Sequence, residues 1–459
     1  MRIDKRKIFL IAAIAVIASL TLAVFAGCST PTFDGVKHDG DYGDEVFSQM
    51  QYLAENHADR TMASQGELEA ARYIASVLSG LGYEGELYDG EEEGIQSFTL
   101  DYTRYDGSSA SKATAYNVVF KKKVENAKGE ILLSTQYDNL YGEKTLEELW
   151  KADGSYESGA STAVLLTLAN LLSEVDCEYD ITFAFFTGGS YLWQGAYHYA
   201  THLKNSELEN ISLMINFSML GGGDNLYLYA SETSTDYGAY LNGVGVGLTA
   251  LPKDKNATDL TLLTEPLYAY SHIGMLGNHY YFMSGGVPTA NFLSLNWSRN
   301  DYPFITEMKD QSNVYHTSKD TLANMIERRG EENIKNELSN AVNSVLGALD
   351  KQNGEAFDQV LSTAREQSGS VAGQGDRASS LIEIALKISV VAVFFAIALT
   401  VRNYVRKNRD KYIKEAQSEK ENVVQPFDFS SYPKDGGDGG ESKKSSGEEQ
   451  ENQIDDPFI

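Results

Sequence analysis

Cysteine is nearly missing from this chain: its 459 residues include two, Cys28 and Cys177. A disulfide framework is therefore excluded, and such scarcity suits an exported protein as well as a cytosolic one. Positive charge is short as well. Lys and Arg number 38 against 65 Asp and Glu, a net charge of −27. Binding phosphates requires a basic face, so nucleic acid is excluded as a partner and the acidity reads as solubility. No internal repeat is found. What the chain does have is apolar: 42% hydrophobic residues and 28 tyrosines, enough for a packed core. The length allows one large domain or two ordinary ones, plus tails.

Long uncharged runs occur at both ends. After the basic start MRIDKRK, residues 8–27 carry no charge, the pattern of a secretory signal or signal anchor. The run closes FAGC, so residues 1–28 end in a possible lipobox with Cys28 as the acylated residue. An uncleaved anchor is the alternative. A second apolar run, residues 381–401, has the length of one bilayer crossing, with Glu383 and Lys387 one helical turn apart near its outer end. RNYVRKNRDKYIK follows it and marks the cytoplasmic side. The sequence thus predicts a cell-membrane protein with an extracytoplasmic domain over residues 40–352 and a flexible linker over 353–380. Residues 402–459 would form a basic juxtamembrane segment and a disordered acidic cytoplasmic tail. Within that tail QPFDF and DDPFI stand out as docking motifs or as parts of a plain solubilising segment.

Between the ends, helical and extended periodicities alternate. QGELEAARYIASVLSGLGY sets Leu68, Ala71, Ile74, Leu78 and Leu81 on one helical face and stops at Gly80 and Gly82. Extended runs follow at residues 95–105, 116–122 and 130–135, then a helix over 159–174. A buried strand over 181–186, a helix over 192–203 and a strand over 211–217 complete the series. This alternation predicts an α/β fold, a mixed, mostly parallel central sheet sandwiched by helices. Polar clusters interrupt it at STQYDNLYG, DGSYESG, FFTGGSYLWQG, INFSMLGGGD and VYHTSKDTL. Such clusters at strand ends converge on one edge and define a crevice.

The order of these pieces resembles the M28 family of zinc peptidases, over most of the stretch from Arg60 to Thr321. RTMASQG leading into the first helix, NVVF, ILLSTQYD, SGASTAVLLTLANLL, NHYYFMSGGVPTANF and YHTSKDT each match a family segment. The resemblance implies an aminopeptidase-like fold holding two zinc ions with a histidine, a bridging aspartate, a glutamate, a second aspartate and a final histidine. A further glutamate serves as general base. Carboxylates and imidazoles suit that role because zinc prefers anionic oxygen and neutral nitrogen.

Carried over position by position, that site is dismantled. The first histidine falls on Gln136, the bridging aspartate on Ser155, the paired glutamates on Gly189 and Ser190, and the second aspartate on Ser218. The final histidine remains, as His316. Asp138 keeps the place of a supporting aspartate. Serine, glycine and glutamine bring no anionic charge, so the expectation is no metal cofactor and no catalytic residues. Gln136, Asp138, Ser155, Gly189, Ser190, Ser218 and His316 would then line a neutral, hydrogen-bonding remnant site. Two other readings stay open: a relocated metal set drawn from Asp138, Asp153, Glu157, His279 and His316, and a serine hydrolase built on Ser190 with His279 or His316. The second lacks the glycine spacing of a nucleophile elbow, because Leu192 stands where a glycine is needed. The plain alternatives are Ser190 as a helix N-cap and the two histidines as packing residues. The sequence as a whole predicts a membrane-tethered pseudopeptidase that binds a peptide or protein partner. The rivals are an active metallo-aminopeptidase and a structural subunit of a membrane complex.

Overall fold

Ile131, Leu132 and Leu133 are all fully buried, although neighbours along a strand point to opposite faces. Both faces of this strand are therefore covered, and that is why it reads as a continuous apolar run rather than as alternation. The structure, a computed structural model, describes residues 40–88, 92–144, 149–173, 175–230, 235–249, 277–295, 314–350 and 354–372. Both expected membrane segments, Cys28 and the acidic tail lie outside these residues. Among the described residues no helix is long and apolar enough to cross a membrane.

The strands are β1 (Glu84–Gly85), β2 (Ile95–Thr103), β3 (Ser109–Lys122), β4 (Glu130–Gln136), β5 (Asp180–Phe186), β6 (Ile211–Ser218), β7 (Asn225–Ala230) and β8 (Thr289–Leu295). They form one sheet in the order β1-β3-β5-β4-β6-β8-β7, with β2 paired to β3. The centre, β5-β4-β6-β8, is parallel. The flanks are antiparallel: β3 on β5, β1 and β2 on β3, and β7 on β8. The fold is thus a mixed α/β sandwich with a mostly parallel centre, and the carboxyl ends of four parallel strands open on one edge.

Helices cover both faces. On one lie α1 (Gly43–Asn56), α2 (Gln65–Gly80), α3 (Ala160–Ser173), α6 (Thr235–Val244), α8 (Leu322–Arg329), α9 (Glu331–Leu349) and α10 (Gly354–Ala372). They pack on Ile131, Leu133, Phe183, Phe185, Leu213, Ile215 and Phe217. On the other, α4 (Gln194–His202) and α7 (His279–Ser284) pack on Leu132, Ala184, Phe186 and Met214. The short α5 (Asn205–Asn210) leads into β6.

The structure departs from the sequence reading in three places. Helix α2 buries Ala70 and Ala75 together with Ala71, Ile74 and Leu78, while Leu68 and Leu81 are only half-buried, so its inner face is turned from the predicted one. The linker predicted over 353–380 gives way to a helix over Gly354–Ala372. Phe357, Leu361 and Ala364 are buried in the core, which places this segment within the domain. Third, Ser190 does not cap a helix. It lies in a 3-10 turn, Gly189–Tyr191, and α4 begins only at Gln194, behind the left-handed residues Leu192 and Trp193.

Candidate functional site

Three of the parallel strands deliver the expected positions to the carboxyl edge: β4 ends at Gln136, β5 runs into Thr187-Gly188-Gly189-Ser190, and β6 ends at Ser218. A fourth contributor is the turn before α3. Gly154 adopts the left-handed conformation (φ 66°), and its carbonyl accepts from both Ser158 N and Gly159 N, at 3.0 and 2.9 Å. The result is a single π-helical turn, Ser155–Gly159, a local distortion that recurs at functional sites. It turns the side chain of Glu157 into the crevice.

Glu157 is the hub. Its carboxylate oxygen Oε1 accepts from Gln136 Nε2 at 3.3 Å and from the Ser190 hydroxyl, and lies 3.3 Å from His316 Nε2. Ser190 Oγ is itself 3.0 Å from His316 Nε2. The backbone N–H of Glu157 donates to Asp320 Oδ2 at 2.9 Å and that of Tyr156 to Asp320 Oδ1 at 2.7 Å, so a buried aspartate fixes the turn. Asp138 lies beneath. Its Oδ1 accepts from Gly189 N at 3.1 Å, and among the described residues its buried Oδ2 has no hydrogen-bond partner of good geometry. Thus Gln136, Asp138, Gly189, Ser190 and His316 come together around Glu157.

Ser155 and Ser218 are placed differently. The Ser155 hydroxyl donates to Asp153 Oδ1 at 2.5 Å and is bound to its own loop. Ser218 Oγ accepts from Asn216 Nδ2 at 2.8 Å. Asn216 belongs to a buried row in which Ser134 Oγ donates to Asn216 Oδ1 and Asn216 Nδ2 donates to Asn291 Oδ1, each at 2.8 Å. His279 is buried on α7 and is not part of the hub.

Burial dominates the electrostatics. It pushes the Asp138 carboxyl up to about 8, with the Glu157 charge adding to it, so Asp138 is largely protonated at neutral pH. Asp320 is raised well above the usual range by burial and by Glu157, against the two backbone N–H groups it accepts. Beneath the crevice lies Arg60, fully buried. Its guanidinium donates to the carbonyls of Tyr137 (2.7 Å) and His57 (2.6 Å) and to Ser158 Oγ (3.0 Å). Burial lowers its pKa; the carboxylates of Asp153, Glu157, Asp320 and Asp138 oppose that.

The tip of the β2–β3 hairpin covers the hub. A turn closed by Arg104 N to Ser108 O (2.8 Å) and Gly107 N to Arg104 O (2.9 Å) projects Tyr105 over it. The Tyr105 hydroxyl donates to the Ser190 carbonyl at 3.2 Å and sits 3.4 Å from His316 Nδ1. Its ring packs edge-on against Trp150, Tyr191 and His316. No periodicity in the sequence points to this tyrosine.

Two zinc ions would need several carboxylates and imidazoles facing one space. Among the described residues no three His, Cys, Asp or Glu side chains gather in a way that could hold a metal. The residues present do not fit a zinc pair: one imidazole remains, and it faces a carboxylate already bound to an amide and a hydroxyl.

A Cβ built at Gly189 would overlap the Gln136 carboxamide, so the glutamine side chain must move to admit one. The two positions are therefore coupled. Gly189→Ala is expected to destabilise the domain by about 1–3 kcal/mol. Adding Gln136→Ala should recover at least about 0.5 kcal/mol of that in a double-mutant cycle followed by denaturant melting, whereas strict additivity would show that the contact carries no energy.

Compared with known proteins, residues 117–342 match the model of peptidase family M28. Aminopeptidase YwaD of Bacillus subtilis (strain 168) is 23% identical over 222 residues, which span 47% of this chain and 42% of that protein. The chain thus aligns with less than half the length of that relative. Among solved structures, a zinc aminopeptidase from Bacillus subtilis aligns with a TM-score of 0.48 at 16% identity, over 70% of this chain and 98% of its own. A Zn-dependent exopeptidase from Parabacteroides distasonis gives 0.46 at 17% identity, over 69% of this chain and 100% of its own.

Proposed function

We propose that this chain, whose residues 117–342 match the peptidase family M28 model, is a membrane-tethered, extracytoplasmic domain that binds a peptide or protein without zinc hydrolysis. One observation carries this reading: the Glu157 carboxylate closes on Gln136, Ser190 and His316, where the family resemblance calls for metal ligands and a base. An anionic oxygen engaged by an amide and a hydroxyl is no longer an open ligand, and the neutral groups around it supply no compensating charge for two dications. The retained strand ends, under the aromatic cover of Tyr105, Tyr191 and Trp150, are the place this reading assigns to the bound peptide. The membrane tether rests on the two apolar runs at residues 8–27 and 381–401.

Metal analysis tests the proposal. Chain purified in the presence of zinc and then dialysed is expected to retain far less than one zinc ion per molecule, and chelators should leave its thermal stability unchanged. Retention of about one or two zinc ions, with chelator-sensitive release of amino acids from peptides, would establish the metallo-aminopeptidase instead.

A further inference from the structure

Binding alone does not call for a hydroxyl pressed between a carboxylate and an imidazole, yet Ser190 is held in that way. Its Oγ donates to Glu157 Oε1 and lies 3.0 Å from His316 Nε2, on a strand–turn–helix connection at the carboxyl edge of the parallel strands. Left-handed residues flank it at Gly188, Leu192 and Trp193, the last two strained for side chains of that size. We propose that Ser190 is a metal-independent nucleophile toward acyl esters, with Glu157 as its base.

The supporting groups are in place. Gln136 Nε2 donates to Glu157 Oε1 at 3.3 Å and His316 Nε2 lies 3.3 Å from the same oxygen, so the carboxylate faces the hydroxyl. The backbone N–H of Glu157 is anchored on Asp320, and the Tyr105 hydroxyl lies 3.4 Å from the far ring nitrogen of His316. Nucleophile and base are thus within hydrogen-bond reach, and the base is itself oriented, which are the contacts nucleophile activation requires.

The step balances without an added reagent other than water. The Ser190 Oγ–carbonyl carbon bond forms as the ester C–O bond breaks. The hydroxyl proton moves to Glu157, which returns it to the departing alkoxide. Water then adds to the acyl group, giving its proton to Glu157; the Oγ–carbon bond breaks, and Glu157 returns that proton to Oγ. Tyr105 stands over this position, so the rate at which the β2–β3 hairpin tip opens governs access.

A fluorophosphonate probe reports the nucleophile directly. The full chain, kept in chelator, is exposed to the probe and the adduct is mapped by peptide mass analysis. A single adduct on Ser190 is expected, absent from Ser190→Ala and formed about a hundredfold more slowly in Glu157→Gln. Tyr105→Ala is expected to label several-fold faster than the unaltered chain. Failure to label Ser190 in both the unaltered chain and Tyr105→Ala, or equal labelling rates in Glu157→Gln, would overturn the proposal. Because chelator is present throughout, the two tests are distinguishable: zinc retention would end the zinc-free reading, whereas loss of Ser190 labelling in chelator would end this one alone.

Discussion

Arg60→Met is expected to lower the unfolding free energy of the domain by about 3–5 kcal/mol, read from the urea midpoint at constant slope. The side chain is completely buried and serves three carbonyls and a hydroxyl, those of His57, Tyr137 and, at 3.5 Å, Gly154, with that of Ser158. Removing it leaves the His57 carbonyl without this donor, leaves the Tyr137 carbonyl with only the longer bond from Ser158 Oγ at 3.3 Å, and takes away a buried cation drawn toward Asp153, Glu157, Asp320 and Asp138. A buried acceptor left unsatisfied costs about 1–3 kcal/mol, and the lost charge among the surrounding carboxyl groups supplies the rest of the effect. Arg60→Lys is the informative control. It keeps the charge but has no planar fork, and an ammonium on a single stem cannot reach partners spread over this span, so it should recover only part of the loss. Full recovery would show that charge, not donor geometry, is what the site needs.

Asp138→Asn is expected to make the domain more stable in mild alkali. The folded pKa of Asp138, about 8, lies above its unfolded value near 4. Between those limits the folded chain holds a proton that the unfolded chain has lost, so stability is greatest below about pH 4 and declines as pH rises toward 8. Asparagine carries no such proton and keeps the oxygen that accepts from Gly189 N. At pH 9 the variant should therefore exceed the parent by on the order of 5 kcal/mol, and at pH 4 the difference should nearly vanish. Asp320 and Glu67 are also raised by burial, so the variant retains some decline of its own; the difference between the two curves isolates Asp138. Parallel curves across this range would refute the assignment.

How much of this was legible in the sequence depended on whether the signal was local. Strands β4, β5 and β6 announced themselves as apolar runs ending in polar clusters, and the positions of Gln136, Ser155, Gly189, Ser190, Ser218 and His316 were each pinned by their neighbours. TANFLSL, by contrast, is buried along its whole length while mixing Thr, Asn and Ser with apolar residues, so neither alternation nor a plain apolar run marks β8. Glu157 was visible only as one of five acidic or imidazole candidates. Its central place depends on a π-helical turn, which has no periodic signature. Tyr105 meets His316 across 211 residues, and nothing local tells which hairpin will cover a crevice. The same holds for α10: a Gly- and Ser-containing stretch reads as a linker until Phe357 and Leu361 find a core to enter.

The buried row of Ser134, Asn216 and Asn291 has a consequence for assembly. These residues stand directly opposite one another on β4, β6 and β8, and each is wholly enclosed. Sliding any of the three strands by one position would swing its polar group to the opposite face, among Leu133, Ile215 and Phe292, with nothing there to satisfy it. The row therefore works as a registration key: hydrophobic collapse alone would tolerate several alignments of these strands, and the matched amides admit one.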